Sequence, residues 1–200
     1  MSVQYPTPSY VPPLHIFVDD SNIAIGGRKL YYPQGTRSRT RWNYDIGVLS
    51  RIIISRFSVN ATQPFVPQFL NFYGSDLRRS PQLNHRRAVG AVFCHHCPRT
   101  RGRQEKQADV GLAVDMTEQV IQHALPFKFP CNFVLVSGDG DFIPAVRKAL
   151  EYGFNVHVWS WRASLSLSYI RLKNQFDKRG QGKLRIHILD RHLNALTRSP

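Results

Sequence analysis

Hydrophobic residues in this chain come in short runs of two kinds. Leu14-His15-Ile16-Phe17-Val18-Asp19 is β-branched and aromatic and stops abruptly in Asp19-Asp20-Ser21-Asn22. That pattern predicts a buried strand followed at once by helix-capping residues. Gln68 to Tyr73 closed by Gly74, Val89 to Cys94, Phe133 to Val136 and Asn155 to Trp159 repeat the strand pattern, and Ile186 to Leu189 reads as a last edge strand. Other stretches carry apolar residues at helical spacing. These are Ile46, Leu49, Ile52 and Ile53 behind a capping Asn43, Asp109 to Leu125 ended by Pro126 and Pro130, and Phe142 to Tyr152 closed by Gly153.

Strands alternating with helices predict a parallel sheet covered on both faces, because parallel neighbours need a crossover connection. The fold class is α/β. Residues 1–13, with Pro6, Pro8, Pro12 and Pro13, read as an extended leader, residues 14–192 as a single domain and residues 193–200 as a tail. In such sheets ligands bind outside the carboxyl ends of the strands, so residues just after each strand are the candidates for function.

Charge narrows the partner. The 200 residues hold 27 Lys and Arg against 13 Asp and Glu, a formal net charge of +14. That balance excludes an acidic enzyme with a cationic substrate and favours a polyanion, nucleic acid before membrane. A hydrophobic fraction of 42% supplies a core, and no apolar run is long enough to span a bilayer. The N-terminus lacks the charged and apolar regions of a signal peptide, and three cysteines are too few for a disulfide scaffold. An intracellular place, cytoplasmic or nuclear, is the expectation.

The scarce carboxylates are placed informatively. Asp19 and Asp20 follow the first strand, Asp109 and Asp115 open the helix after the third, and Asp139 and Asp141 follow the fourth. A parallel sheet gathers these positions on one rim, where like charges repel unless a divalent cation compensates them. Hard oxygen donors suit Mg²⁺ or Mn²⁺. An aspartate just ahead of a helix also fits an N-cap, Asp20 is the one expected to be only structural or exposed, and Asp115, within a helix, also fits a solvated face. The six-residue offset from Asp109 to Asp115 is nearly two helical turns, which puts both within reach of a common pocket. Ser137-Gly138-Asp139-Gly140-Asp141-Phe142 permits a tight turn and lacks the Lys-Ser/Thr of a phosphate loop.

Three segments, FVDDSNI (Phe17 to Ile23), KQADVGLAVDM (Lys106 to Met116) and SGDGDFIPAVRKALEYGFNVHVW (Ser137 to Trp159), resemble the signature segments of the NYN domain family of the PIN-like nuclease superfamily. The resemblance covers about Leu14 to Leu189. It implies a Rossmann-like, three-layer α/β/α sandwich and divalent-metal-dependent RNA cleavage in an acidic pocket. It further implies Asp19 as the metal-binding aspartate of the first segment with Asn22 beside it. Asp109 matches the acidic residue opening the central helix with Asp115 further along, and Asp139 and Asp141 match the pair in the last segment. Many relatives have Gly where this chain has Asp20, which adds a carboxylate the pattern does not explain.

Two basic stretches, Arg28 to Arg41 and Pro98 to Lys106, read as loops. Arg28, Lys29, Arg37, Arg39, Arg41, Arg99, Arg101 and Arg103 are the candidate phosphate contacts. Tyr31, Tyr32 and Trp42 interleave with the first stretch, a mixture that suits unpaired bases. Cys94-His95-His96-Cys97 has the spacing of half a zinc site but lacks a second pair, so an exposed histidine pair at a strand end is favoured. Trp159, Trp161, Met116 and Phe142 are expected in the core.

The leading expectation is a metal-dependent endoribonuclease that uses Asp19, Asn22, Asp109, Asp139 and Asp141, with Asp115 as a further ligand, to bind Mg²⁺ or Mn²⁺ and activate water against phosphorus. A catalytically weak RNA-binding or scaffold module that keeps the pocket is the alternative. A nucleotide phosphohydrolase shares the metal chemistry but has no use for the surface charge. RNA is the expected partner, with a protein partner or a second copy left open.

Overall fold

The computed structural model describes residues 12–32, 42–57, 68–75, 77, 81–88, 92–97, 106–125, 130–180 and 182–198. Six strands form one sheet in the order β3-β2-β1-β4-β5-β6, and every neighbouring pair is parallel. They are β1 (Leu14–Asp19), β2 (Gln68–Gly74), β3 (Phe93–His96), β4 (Asn132–Val136), β5 (Asn155–Ser160) and β6 (Leu184–Ile188). All six residues of β1 are buried, as its unbroken apolar run requires, whereas the edge strands β3 and β6 are mostly half-buried.

Alternation along β1 sorts the core into two layers. Leu14, Ile16 and Val18 face one side, with Ile23 of α1 (Asp20–Tyr31), Leu49 and Ile53 of α2 (Ile46–Ile54), and Leu83 of α3 (Pro81–Ala88). Phe17 faces the other side, with Leu112 and Met116 of α4 (Lys106–Ala124), Val146 and Leu150 of α5 (Ile143–Glu151), and Leu172 and Phe176 of α6 (Leu167–Arg179). The result is a three-layer α/β/α sandwich. Its sheet order reverses direction between β1 and β4, the switch point at which open parallel sheets form a crevice.

Several local expectations shift. The third strand is Phe93–His96 rather than Val89 to Cys94, so His95 lies within the sheet opposite Tyr73. Cys94 and Cys97 are three residues apart in extended chain and pack against opposite core layers, which separates them as ligands. Helix α2 is capped by Asp45, whose side chain accepts from Val48 N–H, and not by Asn43. Arg28 to Tyr31 belong to α1 rather than to a loop.

Trp42 is a correction of another kind. It is 4% exposed and lies in the core beside Trp161 and Tyr44, unable to stack on a base. Gly26 and Gly27 in α1 make room for this pair, because a Cβ on Gly26 would overlap the Trp161 ring and one on Gly27 the Trp42 ring. Trp159, Trp161, Met116 and Phe142 are all buried, as expected.

The segment beyond residue 192 closes on the same layer. Helix α7 (Leu193–Leu196) buries Leu196, and Asp45 N–H donates to the Leu196 carbonyl at 2.8 Å. Trp42 Nε1–H donates to Thr197 Oγ1 at 2.9 Å. The expected leader falls outside the described residues except for Pro12 and Pro13, as do Arg37, Arg39, Arg41, Arg99, Arg101 and Arg103. No helix among the described residues is long and apolar enough to cross a membrane.

Candidate active site at the carboxyl rim of the sheet

Where β1 and β4 diverge, the chain opens a cleft of about 530 Å³ lined by Asp19, Asn22, Lys29, Asp109 and Asp139, among others. Asp19 ends β1 and caps α1. Its Oδ1 accepts from the Asn22 N–H at 3.0 Å and from the Ser21 hydroxyl at 2.9 Å, while its Oδ2 accepts from the Ser137 hydroxyl at 3.0 Å. At 5% exposure this carboxylate is fixed from both sides by hydrogen bonds.

The turn after β4 supplies the opposite wall. Ser137 Oγ also accepts from the Asp139 N–H at 3.2 Å, and Asn22 Oδ1 accepts from the Gly138 N–H at 3.3 Å, so the two strand ends are tied together through side chains. Asp139 caps the short 3₁₀ turn Gly140–Phe142, its Oδ1 accepting from the Asp141 N–H at 3.0 Å. Gly138 has no room for a side chain, because a Cβ would run into Ser160 Oγ and the Ser164 carbonyl.

Capping does not remove these residues from the cleft: Asp19 and Asp139 cap helical turns and line it. An ionised carboxylate offers about four acceptor positions; the contacts described above use three on Asp19 and one on Asp139. With the Asn22 amide and Asp109 the donors are all oxygen. That set fits a hard divalent cation and suits thiophilic metals poorly.

The other expected members stand elsewhere. Asp141 is exposed at the start of the turn and does not line the cleft. Asp115 lies on a neighbouring groove, where it accepts from the Tyr73 hydroxyl at 2.7 Å and pairs with His95 at 3.6 Å. Helical geometry explains the separation. Six residues turn the helix by about 600°, or 240° beyond one full turn, and advance about 9 Å, so Asp109 and Asp115 face different ways. Asp20 accepts from the Tyr44 hydroxyl at 2.6 Å, a packing role. Of the described basic candidates, Lys29 lines the cleft and Arg28 is exposed on the same helix without lining it.

Sequence reasoning passed over the hydroxyl scaffold. Ser137, Ser164 and Ser166 surround the acidic groups, and Ser166 N–H donates to the Gly138 carbonyl at 2.9 Å. Tyr169 donates to the Asp139 carbonyl at 2.7 Å, and burial, then the charges of Asp139, Asp19 and Asp141, push its hydroxyl pKa well above normal. The phenol therefore stays protonated as a donor that holds the turn. The one sequence signal for this wall is Ser166 as a helix N-cap residue after the fifth strand.

Against this geometry, the NYN domain family model matches residues 14–178, from the start of β1 to the last turn of α6. Comparison with individual curated proteins gives no match.

Proposed function

The chain belongs to the NYN domain family, a PIN-like family of ribonucleases, and from that premise we propose that it hydrolyses RNA phosphodiester bonds endonucleolytically in the cleft between β1 and β4, with Mg²⁺ or Mn²⁺ as cofactor. The observation that carries the reading is the meeting of Asp19, Asn22, Asp109 and Asp139, from three separate segments, at the switch point of the sheet.

In this reading Asp19, Asp109 and Asp139 hold the ion. A hard divalent cation bound there supplies positive charge against the phosphoryl oxygens and acidifies the attacking water. The chain's own groups do the positioning. Ser137 and the α1 backbone keep Asp19 oriented, the Asn22 amide fixes the β4 turn, and Lys29 attracts the phosphate backbone into the cleft. Asp141 and Asp115 lie outside the ligand set proposed here. Arg28 and the arginines at positions 37, 39, 41, 99, 101 and 103 add to the RNA-attracting charge.

Incubation of the purified chain with 5′-labelled single-stranded and hairpin RNA, in Mn²⁺, Mg²⁺ or EDTA, tests the proposal. Internal cuts in the metal lanes that vanish in EDTA are expected. RNA that stays intact in every lane while the protein binds it would favour the scaffold reading.

A further inference from the structure

A second cluster of ligand-type side chains lies at the opposite end of the sheet. His15 in β1, His123 in the last turn of α4 and Cys131 just before β4 bring one ring nitrogen each and the sulfur within 4.8 Å of one another. His15 stands four residues before Asp19 on β1, roughly 13 Å away along the strand. The cluster is therefore separate from the acidic cleft and does not depend on the nuclease reading.

Its polar atoms are unusually placed. His15 is 4% exposed, held between the rings of Phe69 and Phe133 at centroid distances of 4.8 and 5.5 Å, with His123 edge-on at 4.6 Å. Buried His15 Nε2 and His123 Nδ1 have no hydrogen-bond partner among the described residues. Buried polar atoms are ordinarily satisfied, and two orphans in one small cluster point to a bound group.

We propose that His15, His123 and Cys131 bind one Zn²⁺ ion. Two imidazoles and a thiolate are a borderline-soft set that zinc favours and that magnesium or manganese does not. Ligand atoms around one zinc stand roughly 3.3–3.8 Å apart, given bonds of about 2.0–2.3 Å, so the trio needs a closure of about 1 Å through side-chain rotation. Cys131 gives up its thiol proton to solvent on binding. Three protein ligands leave a fourth position open, and the same two histidines also help line an apolar groove with Phe69 and Phe93.

The test uses the full chain stripped of metal by chelator dialysis and titrated with Zn²⁺ against a chromophoric chelator, with Co²⁺ as a spectroscopic substitute. One Zn²⁺ per chain is expected in the parent and in Asp139→Asn. Affinity should fall at least tenfold in Cys131→Ser and in His123→Gln, the second at a half-exposed position where the fold tolerates change. Co²⁺ should give a thiolate-to-metal charge-transfer band that Cys131→Ser removes, and Zn²⁺ should raise the parent's melting temperature but not that of the variants. Absence of stoichiometric Zn²⁺, unchanged affinity in both variants, or a Co²⁺ spectrum with no sulfur band would each overturn the assignment.

Discussion

Asp19 Oδ2 and Ser137 Oγ meet at 3.0 Å across the gap between β1 and β4, joining residues 118 positions apart. The serine is fully buried and the aspartate nearly so, and this bond joins the Asn22–Gly138 contact in tying the end of β1 to the turn after β4.

Ser137→Ala removes that link while changing little volume. The expected result is a roughly 10–100-fold loss of metal affinity and cleavage rate, as found when partners that orient a metal ligand are removed. Stability should fall by about 1–3 kcal/mol, since a buried carboxylate loses a donor. Mn²⁺ titration and single-turnover cleavage check it, and a variant that loses stability while keeping parental metal affinity would assign Ser137 to packing alone.

Gly27→Ala tests the tryptophan layer. Alanine improves helix propensity by about 1 kcal/mol, but its methyl overlaps the Trp42 ring and overpacking costs about 1–3 kcal/mol. A lower urea midpoint is expected, whereas a stabilised variant would show that Trp42 moves freely.

That layer also marks how far sequence carries. The strand runs and the aspartates that end them were legible because a parallel sheet places its strand termini on one rim, and Asp19 and Asp139 lie there. Trp42 misled because its arginine-rich neighbours suggest a nucleic-acid surface, while the room for its ring comes from Gly27, fifteen residues earlier in the chain. Asp115 misled because a count of turns ignores angle. Leu193 and Leu196 read as a tail because two apolar residues in a four-residue helix are too few to show a period, although both pack on the core.

His157 sets a pH dependence. Its Nδ1 lies 3.0 Å from His187 Nε2, and burial, then His187 and Arg185, lower its pKa from 6.5 to about 3. The folded chain keeps this ring neutral while the unfolded chain protonates it below pH 6.5. The contribution is whole above pH 6.5 and is lost as pH falls toward 3, with a slope of about 1.4 kcal/mol per pH unit for each extra proton. Urea midpoints measured between pH 7 and about 4.5 should drop, and less steeply in His157→Leu. Parallel slopes in the two proteins would remove His157 from the account.

Lys29 is the described cation on the cleft wall. Lys29→Ala should weaken RNA binding uniformly across sequences and reduce the slope of log affinity against log salt by about 0.7, one phosphate contact on a single strand. An unchanged slope would place the RNA backbone elsewhere.

The central claim is that the carboxylates act in catalysis and the cationic surface in capture. Asp139→Asn keeps shape and deletes one charge, and removing that charge from a metal-free acidic cluster relieves repulsion of the RNA backbone. Single-turnover cleavage at saturating RNA and Mn²⁺, with RNA affinity measured in EDTA on the same preparations, is the decisive measurement. The account predicts that Asp139→Asn loses cleavage by at least 100-fold, or about 2.7 kcal/mol of barrier, while binding RNA as tightly as the parent or more so. A parental cleavage rate, or an affinity lost in step with the rate despite an unchanged circular dichroism spectrum, would contradict it.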